Sequence, residues 1–179
     1  MRHLPRAPSP SPPCSASPPQ VDGKVLSQTQ AMAAYVGKLG GIHPEDPWGQ
    51  AKVDEALNGC TDVTLTLRAT MSLPEEEKVP TREKLIGEGG RLRMHVGGLN
   101  RLCEENGSNG HAYGETLTVA DIAVWRLLGW LTGGVVDGIP KEWVPTTFPA
   151  LAKLIATVNA HEKVIEWKQL HPNQYPVAA

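Results

Sequence analysis

Apolar residues return every three to four positions along most of this chain, which is the period of helices with one buried face. Between Trp48 and Met71, Val53, Leu57, Cys60, Thr64, Leu67 and Met71 form one stripe, predicting a long helix. Leu73–Pro80 is acidic and bounded by prolines, and reads as a loop. A second helical pattern, Leu85, Leu92, Val96, Leu99 and Cys103, covers Thr81 to about Glu105. Five glycines, at 87, 89, 90, 97 and 98, lie inside that stretch. Each costs about 1 kcal/mol relative to alanine in a helix. They predict either close approach between helices or one or two breaks.

The sharpest local signal is Leu117-Thr118-Val119-Ala120-Asp121-Ile122. Thr118 is an N-cap, and Asp121 can reach back to its amide, as in a capping box. Leu117 and Ile122 sit where a hydrophobic staple belongs. The following residues are apolar nearly all round (Val124, Trp125, Leu127, Leu128, Trp130, Leu131), so this helix is expected at the buried centre. Phe148-Pro149 opens another helix, with Leu151, Leu154, Ile155 and Val158 at helical spacing. Val164, Ile165 and Trp167 belong to a last short one.

Nearer the N-terminus, Thr29 opens a short helix with Ala31, Met32, Tyr35, Val36 and Leu39 as its apolar set, and Gly40-Gly41 closes it. Asp22-Gly23 is a strong hairpin turn, since both central positions of a type I′ turn need positive φ. Its second arm is Lys24-Val25-Leu26. The first would have to come from residues 1–20, which hold seven prolines and four serines and are expected not to pair. That segment is expected to be a disordered tail. Arg2 and Arg6 without any acid are a weak match to an organelle transit peptide; a solvated tail or a misassigned coding start fits better. A mainly α fold, a helical bundle behind a fragment of α/β structure, is the architecture these patterns predict.

Composition narrows the function. A net charge of -2 offers no field to hold a phosphate backbone, so no nucleic-acid partner is expected. No apolar run reaches the roughly 18 residues needed to span a bilayer, so no membrane partner is expected either. Cys14, Cys60 and Cys103 are widely spaced and form no CxxC pair. They read as reduced thiols in a cytoplasmic protein, with no metal site. His43, His95, His111 and His161 have no ligand spacing and read as surface residues.

Several motifs together resemble the cytosolic glutathione transferases, of the alpha, mu, pi and sigma group. Val21 to Tyr35 is similar to the end of their thioredoxin-like domain, where a strand runs into a Gln-Ser or Gln-Thr pair that opens a helix. Asp46 to Asp62 resembles the first helix of their C-terminal domain, and Leu117 to Ile122 their buried capped helix. Phe148-Pro149-Ala150-Leu151 and Val158-Asn159-Ala160-His161 resemble two landmarks near their end. The resemblance covers about Val21 to Pro172. It implies a tail at 1–20, the end of a thioredoxin-like domain at 21–43, and a helical C-terminal domain at 44–179.

The resemblance also implies a site. Gln28 and Thr29 would bind glutathione, the γ-glutamyl carboxylate meeting the free amides of a helix N-terminus. Taken locally, Thr29 is a helix cap and Gln28 a loop residue. Asp62 would contact glutathione bound to the neighbouring subunit of a homodimer; taken locally, it is a solvated helix residue. Thr118 and Asp121 would be a structural cap. The family's first β-α-β unit, which carries the thiol-activating hydroxyl or thiol, finds no counterpart here. Ser17 stands where its cis-proline should be. No catalytic residue is therefore assigned, and Tyr35 reads as structural, on the inner face of its helix. The implied activity is conjugation of the glutathione thiol to apolar electrophiles, with glutathione as co-substrate and no other cofactor, impaired in this chain. The alternative is a non-catalytic interaction or scaffold module.

Overall fold

The computed structural model describes residues 20–171. The expectations for residues 1–19 lie outside the described residues. In chain order the elements are β1 (Gln20–Val21), β2 (Lys24–Val25), α1 (Thr29–Leu39), α2 (Pro47–Met71), α3 (Glu75–Ile86), α4 (Arg91–Glu105), α5 (Val119–Thr132), α6 (Trp143–Thr147), α7 (Pro149–Ala160) and α8 (Glu162–Leu170). The expected helical bundle, preceded by a small α/β piece, is what forms.

α5 is the centre. It packs on α2, α6, α7 and α1, while α4 bridges α2 and α7. Val53, Val63, Leu67, Leu92, Leu99, Val124, Leu128, Leu131, Leu151 and Leu154 are all essentially without solvent contact. Each such side chain contributes about 1.5–3 kcal/mol by leaving water. The stripe on α2 is displaced from the one the spacing suggests: Val63 and Thr70 are inside, whereas Thr64 and Met71 are exposed. Across α5 and α7, Trp125 Nε1 donates to Asn159 Oδ1 at 2.9 Å.

Helix starts follow from local chemistry. Asp46 Oδ1 accepts the Gly49 amide at 2.7 Å, with Pro47 in the first turn of α2. Thr118 and Asp121 form a reciprocal capping box at α5. The Asp121 carboxylate is fully buried and accepts the Thr118 amide at 2.7 Å, the Thr118 hydroxyl at 3.0 Å and the Ala112 amide at 2.6 Å. His111 is half-buried with Nδ1 3.4 Å from the same carboxylate, so it is not simply a surface residue. The loop between α4 and α5 is braced by Asn106. Its Nδ2 faces the carbonyls of His111 and Gly114, and its Oδ1 accepts the Gly114 amide at 3.0 Å.

Four expectations are decided by the structure, three of them against the reading above. Residues 75–80 are helical, not a loop: Glu75, Glu76 and Glu77 occupy the first turn of α3, where acids complement the helix dipole. Pro80 is accommodated inside α3 at the cost of one ladder hydrogen bond. The helical stretch expected from Thr81 to Glu105 is broken between Ile86 and Arg91, which is one of the two outcomes its glycines predict. Gly89 has φ +72°, and a Cβ on Gly90 would lie 2.2 Å from the Leu85 carbonyl oxygen, so both positions require glycine. These two glycines serve a turn within the chain.

The hairpin, third, does pair. Gln20 faces Val25 and Val21 faces Lys24, with Asp22 and Gly23 both at positive φ. The arm begins at Gln20 and uses only two residues beyond the prolines. Fourth, most of the apolar set of α1 points outward, Met32 alone being half-buried. Val36 is 61% and Leu39 70% exposed, and Tyr35 is not on an inner face. Instead α1 meets the bundle through its small residues. A Cβ on Gly37 would lie 2.9 Å from Val119, and Ala33 and Ala34 pack against the core.

Candidate functional site

Gln28 and Thr29 stand together where the α/β piece meets the bundle. Gln28 holds φ 74°, ψ 120°, a strained conformation for a side-chain-bearing residue. That geometry turns the chain from β2 into α1, with Thr29 as the first helical residue. Met32 N donates back to the Gln28 carbonyl at 3.0 Å, and no side chain caps this helix start. The Thr29, Gln30 and Ala31 amides, which precede the first α1 ladder bond, therefore aim at one small region with the positive end of the helix dipole behind them.

That region opens on a cleft of about 620 Å³ between α1, α2 and α5. Gln28, Thr29 and Gln30 form one edge; Leu57, Leu65, Leu127 and Trp130 supply apolar walls. Gln30 Nε2 donates to Thr61 Oγ1, which clips the start of α1 to α2. The Thr61 and Thr64 hydroxyls donate to the carbonyls of Leu57 and Cys60 within α2. Cys60 lines the cleft, and burial pushes its thiol up to about 12, so it stays protonated near neutrality. Arg68 and Arg126 complete the walls, and no Asp or Glu among the described residues lines them. Sequence reasoning missed both arginines. Thr61, Thr64 and Arg68 share one helix face by spacing, which was an available signal; Arg126 reaches the cleft only through the tertiary fold.

Asp62 is not in this cleft. It is exposed on the outer side of α2 and borders a separate cleft of about 760 Å³ with Leu65, Arg91, Met94 and His95. The structure thus places Gln28 and Thr29 together at this cleft, and Asp62 away from it on the outer surface. A third cleft, almost wholly apolar, lies between α5 and α8 and includes Leu117, Ile122, Trp125 and Trp167. Among the described residues no helix is long and apolar enough to cross a membrane.

Comparison with known proteins agrees with this architecture. Residues 62–171 match the family model of the glutathione S-transferase C-terminal domain. Glutathione S-transferase S1 of Drosophila melanogaster is 24% identical over 153 residues, covering 86% of this chain and 58% of the relative. Glutathione S-transferase A3 of Mus musculus is 29% identical over 124 residues, covering 68% of this chain and 55% of the relative. The chain thus spans little more than half the length of these two curated relatives. Among solved structures, prostaglandin synthase D of Nilaparvata lugens superposes with a TM-score of 0.71 at 20% identity, over 85% of this chain and 72% of that one. The glutathione S-transferase from Ascaris lumbricoides gives 0.65 at 24% identity, over 88% and 74%. With its matched C-terminal domain running through most of the described helices, the chain belongs to the glutathione S-transferase family.

Proposed function

We propose that this protein binds glutathione at the uncapped start of α1 and presents its thiol to an apolar electrophile in the adjoining cleft. One observation carries the reading: strained Gln28 and Thr29 set free helix amides at the edge of a cleft with apolar walls. The γ-glutamyl carboxylate is the anion those amides fit. Asp62, facing outward from α2, serves the glutathione of a second subunit in a homodimer. The protein works in the cytoplasm, in detoxifying conjugation.

The conjugating rate of these 179 residues alone is low. Catalysis needs a hydroxyl donor within about 2.6–3.2 Å of the sulfur. No Tyr or Ser among the described residues lines the cleft, and the Thr61 and Thr64 hydroxyls are committed to α2 carbonyls. The expected result is retention on immobilised glutathione, weakened by Thr29→Ala, with turnover of a generic aromatic electrophile near the uncatalysed rate. Full retention by a Gln28→Ala/Thr29→Ala double variant would sink the site assignment. A second reading, a non-catalytic interaction module, draws on the outward apolar face of α1, where Val36 and Leu39 are exposed. No retention on glutathione, together with capture of a protein partner lost in Val36→Ser/Leu39→Ser, would favour it.

A further inference from the structure

Ser72, with Leu73 and Pro74, forms the corner between α2 and α3 and lies outside both helices. It is exposed, and no hydrogen bond engages its hydroxyl among the described residues. Glu75, Glu76 and Glu77 follow, all exposed. Of the Ser and Thr residues in the chain, only Ser72 and Thr118 have a carboxylate three positions on. Thr118 is 6% exposed and its hydroxyl is committed to Asp121. Ser72 is thus the hydroxyl that is both open to solvent and followed by acids.

The corner can also be drawn out at small cost. Pro74 is already extended, with φ -51° and ψ 147°. No side chain caps α3, and Pro80 brings no amide to the Glu76 carbonyl. The contacts of the first turn are shallow: the Glu77 amide donates to the Pro74 carbonyl at 3.0 Å, and Lys78 pairs with Glu75 at 2.6 Å on the surface, where such pairs contribute little. Further along, α3 is anchored by buried Arg82. Residues 72–77 can therefore straighten into an enzyme's peptide groove without opening the core.

We infer that Ser72 is a phosphorylation site for a protein kinase whose basic groove reads carboxylates on the C-terminal side of its acceptor. Ser72 Oγ attacks the γ-phosphorus of ATP. The new O–P bond forms as the bond to the bridging oxygen breaks, ADP leaves, and the kinase's base takes the hydroxyl proton. The product adds a charge of about -2 at the C-terminal end of α2, where the helix dipole is negative, and beside three glutamates. Like charges repel there, so modification opens the first turn of α3.

The test incubates the full chain with ATP and an acid-directed protein kinase and reads the product by intact mass and fragmentation. One phosphate is expected, on Ser72. Ser72→Thr still accepts it and Ser72→Ala does not. Glu75→Gln/Glu76→Gln/Glu77→Gln slows the transfer about tenfold. No transfer to the unaltered chain, or transfer to another hydroxyl, overturns the site. An undiminished rate in the triple glutamine variant overturns recognition through the acids. Amide exchange then compares phosphorylated and unmodified protein. Residues 73–79 are expected to exchange about tenfold faster after modification, with α4 unchanged. Equal exchange at 73–79 overturns the opening of α3.

Discussion

Asp121 Oδ1 accepts the backbone amide of Ala112 at 2.6 Å, while its Oδ2 accepts that of Thr118 at 2.7 Å, so one buried carboxylate joins the start of α5 to the loop before it. Removing it leaves two buried amides without acceptors. Asp121→Ala should cost on the order of 3 kcal/mol, well above the ~1 kcal/mol of an ordinary cap. Thr118→Ala, which loses a hydroxyl but keeps the carboxylate, should cost about 1 kcal/mol. Urea denaturation of the two variants checks this; equal losses would mean that the Ala112 contact contributes nothing.

Arg82 is 6% exposed and donates to Thr70 Oγ1 at 2.9 Å and to the Asp137 carbonyl at 3.1 Å. It ties α3 to the end of α2 and to the loop after α5. Arg82→Ala should destabilise by about 3 kcal/mol, since it removes both bonds and the packed stem; Arg82→Met, which keeps the stem, should lose about half of that. Thermal melting distinguishes them, and an Arg82→Ala protein as stable as the parent would refute the tie.

Two thiols make stability depend on alkaline pH. Burial raises Cys60 and Cys103 from 9.0 to about 12, with the Asp121 and Glu104 carboxylates adding to the rise at Cys103. Below pH 9 both folded and unfolded chains keep these protons, and the stabilising contribution is complete. Between about 9 and 12 the unfolded chain releases protons that the folded one retains, so stability falls as pH rises. The urea midpoint should decline through that window. A Cys60→Ala/Cys103→Ala variant should decline less steeply, whatever its stability at neutral pH; identical slopes would exclude the thiols as the cause.

Gly37 is where α1 touches α5, and a methyl there would lie 2.9 Å from the Val119 side chain. Gly37→Ala should therefore push α1 away from the bundle at a cost of about 1–3 kcal/mol, despite the better helix propensity of alanine. Faster amide exchange confined to residues 29–39 is the expected signature. Unchanged exchange there would show that the contact relaxes without strain.

The parts legible in the sequence were those with a local cause. Pro149, and Thr118 with Asp121, each mark a helix start that the structure has. The parts that were not legible depend on what lies opposite. Periodicity showed that α1 has an apolar side but not which side meets the bundle. The bundle takes Ala33, Ala34 and Gly37, because small side chains let helix axes approach. On α3, three glutamates after Pro74 looked like a solvated loop, although acids in a first turn favour helix. Arg68 and Arg126 belong to different helices and meet at one cleft only after packing.

Asn106-Gly107 is a sequence that ordinarily ages in solution: the glycine nitrogen attacks the side-chain amide, ammonia leaves, and a succinimide opens to aspartate or isoaspartate. The brace of the 106–114 loop blocks both partners. The Asn106 amide is held by Gly114 from both sides, and the Gly107 nitrogen already donates to the Glu104 carbonyl at 2.9 Å. A bond that holds the loop in shape also protects this peptide from spontaneous deamidation, so the molecule should keep its charge at this position for as long as it stays folded.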